Sequence, residues 1–400
     1  MATHVIDEFP PTPGDGGDAL AAWTRALREK SPVWFNKAVD VWHVFDYATT
    51  QRVLSDTSTF SSDMSAVAPA TLFIKSNFMR MDPPEHRKYR ALIGQAFNAR
   101  TVEGLRPRIA DITRSLLDAV GRSERFDISN ALSFPLPVTV ISELLGVPPS
   151  DRALFRTWAD DMFSANFEKP FDRAVVERLE AAVSPMHAYL MKHVRDRRSA
   201  PREDLISRVV KAEVDGQRLD DEDAVTFAAL LFIAGHVTTL LLVNNAVRCL
   251  DANPRIFAEL IGNPAGIPAI VEETLRFYPP FLGVPRLTTT EVHLCGERIP
   301  AGSVVVPSLL SANRDPARFP DPDRFAPGRH DKHVAFGHGI HFCLGASLAR
   351  LEAEVALSML VDRYRDIRLN DEEAPEFYLA QGVLGPKQLP VRVWPNREAT

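Results

Sequence analysis

The residues of this chain best suited to chemistry lie in one stretch, Ala335-Phe336-Gly337-His338-Gly339-Ile340-His341-Phe342-Cys343-Leu344-Gly345-Ala346. An apolar run at helical spacing follows from Ser347 to Leu357, so Cys343 sits where a glycine-rich loop opens a helix. Free N–H groups at a helix start carry partial positive charge; they lower a thiol pKa and donate hydrogen bonds to a thiolate. Gly337 and Gly339 let the backbone turn tightly and approach a flat partner, and Gly345 leaves the space beside the sulfur open. Three chemistries fit the loop taken alone. The sulfur is an axial ligand of haem iron, a nucleophile with His341 as its base, or a buried structural thiol, the ordinary state of a lone cysteine.

Other candidates are scattered along the chain. Asp82-Pro83-Pro84-Glu85 reads as a helix start, and His86 and Arg90 then fall one turn apart on one face, a two-pronged donor for a carboxylate. Arg87 and Lys88 beside them keep open the plainer reading of a solvated basic face. A strongly apolar helix is predicted from about 221 to 250, with Ala234-Gly235-His236-Val237-Thr238-Thr239 at its middle. Glycine is poor in a helix interior, and a threonine hydroxyl bonding back one turn loosens the helix into a groove. His236 is a candidate distal ligand or base, against the commoner case of a lone histidine satisfied in a core. Glu273 and Arg276 stand at i, i+3 on a helix stopped by Pro279-Pro280.

The elements that must position these groups are mostly helical. Helices are predicted over 19–27, 47–54, 101–120, 137–145, 150–166, 171–198 and 203–212. Strands are predicted at 33–35, 39–45, 291–294, 297–299 and 303–310, a long loop at 58–77, and a proline-rich coil over 312–325. No Gly/Ser linker or repeat divides the chain, so residues 1–400 are expected to form a single domain. A composition of 45% hydrophobic and 24% charged residues is that of a soluble globular protein. The net charge of -6 with no basic block argues against nucleic acid as a partner. The first residues lack a signal-peptide pattern, and no apolar stretch is read as a membrane span, so a cytoplasmic protein is expected. Cys249 and Cys295 form no disulfide or Cys-x-x-Cys pair and are read as packing residues.

Taken together and in order, these motifs resemble the cytochrome P-450 family of haem-thiolate monooxygenases, specifically the soluble bacterial kind. The resemblance covers nearly the whole chain. Phe336, Gly339, His341, Cys343 and Gly345 match the haem loop, and Glu273 and Arg276 match the Glu-x-x-Arg motif. Asp82 to His86 with Arg90 match the propionate-binding helix, Arg286 a further propionate arginine, and 312–322 the coil before the loop. The resemblance implies a mainly α fold with a small β-rich region (33–45, 291–310, 377–394), a triangular prism with haem between the long central helix and the cysteine helix. It implies haem b (iron protoporphyrin IX) ligated by Cys343, with Phe336, Gly345, Ala234 and Gly235 beside it and propionates on His86, Arg90, Arg286 and His341. Glu273 and Arg276 become structural, pairing with a coil arginine, for which Arg324 is the candidate. One atom of O2 enters a hydrophobic small molecule by hydroxylation or epoxidation. Electrons come from NAD(P)H through a ferredoxin reductase and a ferredoxin. The resemblance implies a monomer with no membrane and no nucleic-acid partner.

The catalytic set on the long helix is Thr238, His236 and Val237, and it departs from the family pattern. Where the family commonly has an acid before the threonine, this chain has Val237, which cannot relay a proton. Three routes stay open: substrate hydroxyl or ordered water through Thr238, His236 as substitute, or a less relay-dependent reaction such as peroxide-driven oxidation or oxidative coupling. A haem-binding sensor without turnover is the alternative of another class. By family position the pocket would be lined by Phe73, Ile74, Phe78, Phe167, Leu231, Phe232, Leu282, Val284, Leu379 and Val383. This apolar set suits a sizeable hydrophobic substrate, and the chain resembles enzymes that tailor macrolides and other polyketides in antibiotic biosynthesis.

Overall fold

The structure, a computed structural model, describes residues 10–67, 77–151, 153–155, 157–158, 173–379 and 382–396. Its frame is helical: α1 (Asp18–Lys30), α2 (Tyr47–Ser55), α3 (Glu85–Ala96), α4 (Arg106–Val120), α5 (Pro135–Leu145), α6 (Arg173–Ser199), α7 (Asp221–Ala252), α8 (Ile267–Phe277) and α9 (Ala346–Arg363). Helix α7 is the axis of the packing and touches α5, α6, α8 and α9. Asp220 caps it by accepting from the Asp223 amide at 2.8 Å, and Asp223 reaches back to the Asp220 amide. Thirty-two residues make a rod of about 48 Å. From Ala224 to Leu250 every residue is buried except Ile233, Ala234, Gly235, Thr238 and Arg248.

The expectation that no apolar run reaches membrane length is corrected by α7. The helix is long and apolar enough to cross a membrane, yet 78% of its most apolar window is buried inside the protein. A helix surrounded by other helices needs no polar face, so its sequence is apolar all round.

The β-rich part is a five-stranded sheet in the order β1 (Val33–Asn36), β2 (Val41–Val44), β6 (Val304–Pro307), β5 (Arg286–Thr288), β3 (Phe60–Ser61). Strands β2 and β6 run parallel, with Val304 opposite Val41. A second sheet joins β7 (Tyr364–Leu369), β10 (Pro390–Pro395) and β4 (Arg125–Asp127), and β8 (Glu376–Phe377) pairs with β9 (Pro386–Gln388). Three local expectations change. The predicted strand 303–310 stops at Pro307, because the Ser308 side chain caps a short helix, Leu309–Ala312. The predicted helix 101–120 divides at Gly104 into Ala99–Glu103 and α4. Cys295 is exposed at a φ of +48° in a hairpin turn with Gly296, rather than packed; Cys249 is buried as expected.

The Glu-x-x-Arg pair is buried and holds the coil that leads to the cysteine loop. Arg276 makes two 2.8 Å bonds to Glu273 and donates to the carbonyls of Asn313, Pro322 and Arg324. The expected partner Arg324 therefore offers only its backbone oxygen. The coil cation on Glu273 is Arg329, at 3.1 Å, and the Ala326 amide donates to the same carboxylate at 2.7 Å. Removing one member of such a buried pair costs about 3–5 kcal/mol.

One buried acid lacks such compensation. Glu352, on α9, is 1% exposed, its Oε1 has no hydrogen-bond partner, and burial alone pushes its carboxyl up to about 8 from 4.5. Folding therefore favours the protonated form. The penalty is absent below about pH 4.5, grows as pH rises, and is full only above about pH 8; at pH 7 it is on the order of 3 kcal/mol. Glu352→Gln should unfold at the same temperature as the parent near pH 4.5 and be more stable at pH 7, with the gap widening to pH 8. Thermal melts across that range check it, and a gap independent of pH would refute the assignment.

Candidate active site

The cysteine loop is built by its own backbone. Cys343 N–H donates to the Phe336 carbonyl at 2.9 Å, Gly337 N–H to Val334 at 2.8 Å and Phe342 N–H to Gly339 at 3.1 Å. Gly339 has a φ of +74°, and a Cβ there would stand 2.9 Å from the Leu54 carbonyl, so the loop presses on the end of α2 as only glycine allows. Protein packed around Cys343 pushes its thiol up. The Gly345 and Ala346 amides, which reach the sulfur, pull it down, as do Arg90 and Arg350. The residue remains exposed on one side. A Cβ on Gly345 would come within 4.0 Å of Sγ, and the Phe336 ring lies under the Arg350 guanidinium at 4.5 Å.

Beside this sulfur the fold gathers basic groups from three distant segments. His86 of α3 is 1% exposed, and neither ring nitrogen has a partner. Its ring centroid is 4.2 Å from that of His341. Arg286 of β5 is 2% exposed; Nη1 donates to the Pro285 carbonyl at 2.9 Å and Nε has no partner. Arg90 donates to the Phe342 carbonyl at 2.7 Å. His341 is held down to about 3 by burial first, then by the charges of His86, Arg286 and Arg90, and burial lowers Arg286 to about 10. Asp82 lends Arg286 and His86 some opposite charge, but its oxygens already accept from Ser61 Oγ at 2.5 Å and Ser62 N–H at 3.0 Å.

Buried polar atoms without a partner, here both His86 ring nitrogens and Arg286 Nε, are costly unless an anion joins them. The set fits a flat dianionic group bearing a metal that the sulfur can ligate, which is haem with its two propionates. His341 Nε2 lies 2.9 Å from Ser62 Oγ, and its ring packs on His86, so the geometry does not make it the base of a thiol nucleophile. Ser62 was missed from sequence, as was Arg80, whose Nη1 is buried without a partner in the turn Phe78–Arg80. Ser62 meets His341 across 279 residues, and no local pattern encodes that contact.

On α7 the helical period sorts the predicted residues. Ala234 is exposed and Thr238, one turn on, is half-buried, with Oγ1 donating to the Ala234 carbonyl at 2.5 Å. His236 and Phe232 lie on the opposite side. The His236 ring is 4.3 Å from Phe134 and stacks on Phe232, which packs edge-on against Phe155 at 4.8 Å. His236 as distal base and Phe232 as pocket wall are thus corrected: residues two apart on a helix are about 200° apart. Gly235, half-buried beside Ala234, packs on α5 on one side: a Cβ there would stand 2.8 Å from Ile141 Cδ1. Val237 is 1% exposed.

Of the predicted pocket residues, Phe73, Ile74 and Phe167 lie outside the described residues. Phe78 and Leu231 are buried, and the Phe78 ring is 6.4 Å from Phe227 of α7. The segments of Leu282 and Val383 pair by backbone, Leu282 N–H donating to Gly382 at 3.1 Å and Phe281 bridging Val383, while the Leu282 side chain packs with Leu20, Ala21, Leu310 and Leu384 and Val383 lies in a different cluster. Val284 packs on the cluster of Tyr47, Leu54 and Leu309. Leu379 is 61% exposed, near Gly14 of the N-terminal turn.

The sequence model of the cytochrome P-450 family matches residues 30–263 and 267–391. Erythromycin C-12 hydroxylase of Saccharopolyspora erythraea is 44% identical over 390 residues, covering 97% of this chain and 97% of that protein. Cyclomarin C epoxidase CymV of Salinispora arenicola is 42% identical over 380 residues, 94% and 96% of the two chains. Among solved structures, a mutant of P-450 EryK in complex with erythromycin B superposes with a TM-score of 0.91 at 43% identity, over 98% of this chain and 100% of that one.

If the basic cluster holds propionates, Arg286→Gln should weaken retention of haem by about tenfold or more, the worth of one charge-assisted bond. Transfer of haem to an apo-globin measures this. An unchanged transfer rate would remove Arg286 from the cofactor site.

Proposed function

The chain belongs to the cytochrome P-450 family, and on that premise we propose which substrate it oxidises and what its own residues contribute. It is a haem-thiolate monooxygenase that puts one oxygen atom of O2 into a hydrophobic organic molecule as a hydroxyl or an epoxide. The observation that carries the site assignment is the sulfur of Cys343, met by two backbone amides and by the charge of Arg90, which also acts on the cluster of His86, Arg286 and His341. Haem bound there supplies iron for dioxygen activation, with thiolate electron density favouring O–O cleavage.

The chain's part is to hold, orient and exclude water. Cys343 anchors the metal, its amide donors moderating the thiolate charge. His86, Arg90, Arg286 and His341 hold the propionates, and Phe336 and Gly345 fit against the ring near the sulfur. Ala234 and Thr238 form the open face of α7 at the oxygen side. The Thr238 hydroxyl is committed as donor to Ala234, so it accepts its next hydrogen bond. With Val237 buried and His236 on the far side, the donor is a hydroxyl of the substrate or an ordered water.

The substrate we propose is a large apolar natural product of the macrolide or polyketide kind carrying such a hydroxyl. Phe78, Leu231 and Val383 belong to one apolar cluster, which supports an apolar wall for the substrate, and the relatives' names concern a macrolide and cyclomarin C. Electrons would come singly from NAD(P)H by way of a ferredoxin reductase and a ferredoxin, to a monomer acting as one unit in the cytoplasm. A sensor role and peroxide-driven chemistry are not favoured, since the relatives are named for a hydroxylation and an epoxidation.

The reduced protein with carbon monoxide should show the strongly red-shifted Soret band of thiolate-ligated haem, and Cys343→Ser should lose it; a Cys343→Ser variant with full activity would sink the assignment. Thr238→Ala should cut product formed per electron pair by about tenfold. Val237→Glu should make substrate analogues lacking the hydroxyl competent. Equal coupling of parent and Val237→Glu on both substrate types would place the proton route elsewhere.

A further inference from the structure

Between Ala224 and Leu250, helix α7 reaches the surface at two places, the 233–238 window and Arg248. Between them lie two adjacent asparagines, Asn244 and Asn245, each 0% exposed. Asparagine is a weak helix former, and its amide is costly to bury unless it is bonded. Both side-chain NH2 groups are used, and Asn244 Oδ1 is left without a partner. Asn245 Nδ2 donates to the Leu384 carbonyl at 2.9 Å and the Tyr278 carbonyl at 3.2 Å, and Oδ1 accepts from Arg248 Nη1 at 3.2 Å. Asn244 Nδ2 donates to Pro386 at 2.9 Å and to Ser129 Oγ at 2.8 Å. Arg248 lies over the rings of Tyr278 at 4.5 Å and Phe377 at 4.8 Å, and its Nη2 donates to the Gly16 carbonyl at 3.2 Å.

The two segments so held are the two that carry Leu282 and Val383. They are laced to each other by Leu282 N–H to Gly382 and Leu384 N–H to Pro280, both at 3.1 Å. The surrounding backbone leaves no slack. A Cβ on Gly385 would stand 2.8 Å from Asn245 Oδ1, one on Gly17 2.5 Å from Leu384 Cδ1, and one on Gly16 2.4 Å from Arg248 Nη2. Asn245 is seven residues from Thr238, two turns along the same face. One rigid helix thus carries both the oxygen-side hydroxyl and the post to which the wall is tied.

We propose that Asn245 and Arg248 are positioning residues that set substrate specificity, by fixing the wall segments 280–284 and 382–385 in register with Thr238. This rests on the reading that those segments wall the substrate site. A wall displaced by about 1 Å changes the placement of a bound molecule enough to alter rate and site of attack by orders of magnitude.

The test uses the haem-loaded protein with two probes, imidazole and 4-phenylimidazole. The first is small and reports on the iron site alone; the second is bulky and also meets the walls. Asn245→Asp removes the donor isosterically, Arg248→Met removes the brace from a half-exposed position, and Arg248→Lys keeps the charge. In Asn245→Asp and Arg248→Met, imidazole affinity should stay within about twofold, while phenylimidazole affinity and amide hydrogen exchange at Leu282 and Leu384 each change about tenfold. Arg248→Lys should restore most of both. Equal changes for the two probes would mean a merely structural role and overturn the proposal, as would unchanged exchange and unchanged phenylimidazole binding. Should Asn245→Asp fail to fold, Arg248→Met decides alone. Failure of the parent protein to bind imidazole would instead strike the haem reading.

Discussion

A single buried carboxylate, Glu273, governs where the cysteine loop lies. From Asn313 to His338 the chain has no regular secondary structure, so its backbone polar groups need partners from elsewhere. Glu273 takes the Ala326 amide and Arg329, and Arg276, fixed by Glu273, takes three coil carbonyls. Asn313 closes the far end by accepting from the Val334 amide at 2.8 Å, directly before the loop begins. The coil is long, but its start and middle are held by charge-assisted bonds to α8 and its end by the Asn313 side chain. Helix α8 in turn packs on α7 and α9, so the sulfur is placed by the same core that holds the oxygen-side helix.

Against that rigid frame the basic cluster is a store of unfavourable energy. Arg90 disfavours the charge of His86, His86, Arg286 and Arg90 that of His341, and burial disfavours the charge of each of the four. A polypeptide that only needed to fold would not gather them. A dianion that binds the folded chain alone returns that energy as stability, by the amount of its binding free energy above the free concentration. Cofactor affinity and native stability are thereby one quantity seen from two sides.

How much of this was legible in the sequence depends on the range of the contact. The cysteine loop, the helix that begins at Glu85 and the Glu-x-x-Arg pair are local patterns visible in spacing, and the roles expected of them came from the family they together resemble. The long helices were legible for the same reason. Strands such as β3, β4 and β5 are two or three residues long and take their partners from remote segments, so periodicity had nothing to work on. Arg329 in place of Arg324 is a matter of how an irregular coil runs, which sequence spacing does not constrain. The misassignments of His236 and Phe232 were of another kind. The 3.6-residue period already set His236 opposite Ala234 and Thr238, and reading the motif by its residue types instead of its phase concealed it.

That phase also explains the oddity at Val237. The residue is 1% exposed on a helix whose neighbours are apolar. A carboxylate in such surroundings is driven towards its neutral form, as Glu352 shows nine-tenths of the way along the chain, unless another group bonds it. Valine removes that demand and packs without a partner. The cost falls on the reaction, because in its open window the helix then offers the hydroxyl of Thr238, already bonded to its own backbone, while Thr226 and Thr239 are buried. On this reading the missing proton donor is supplied by whatever the wall admits, so selection of the substrate and delivery of the proton become the same event. A molecule that fills the pocket but brings no donor would bind and still be oxidised poorly.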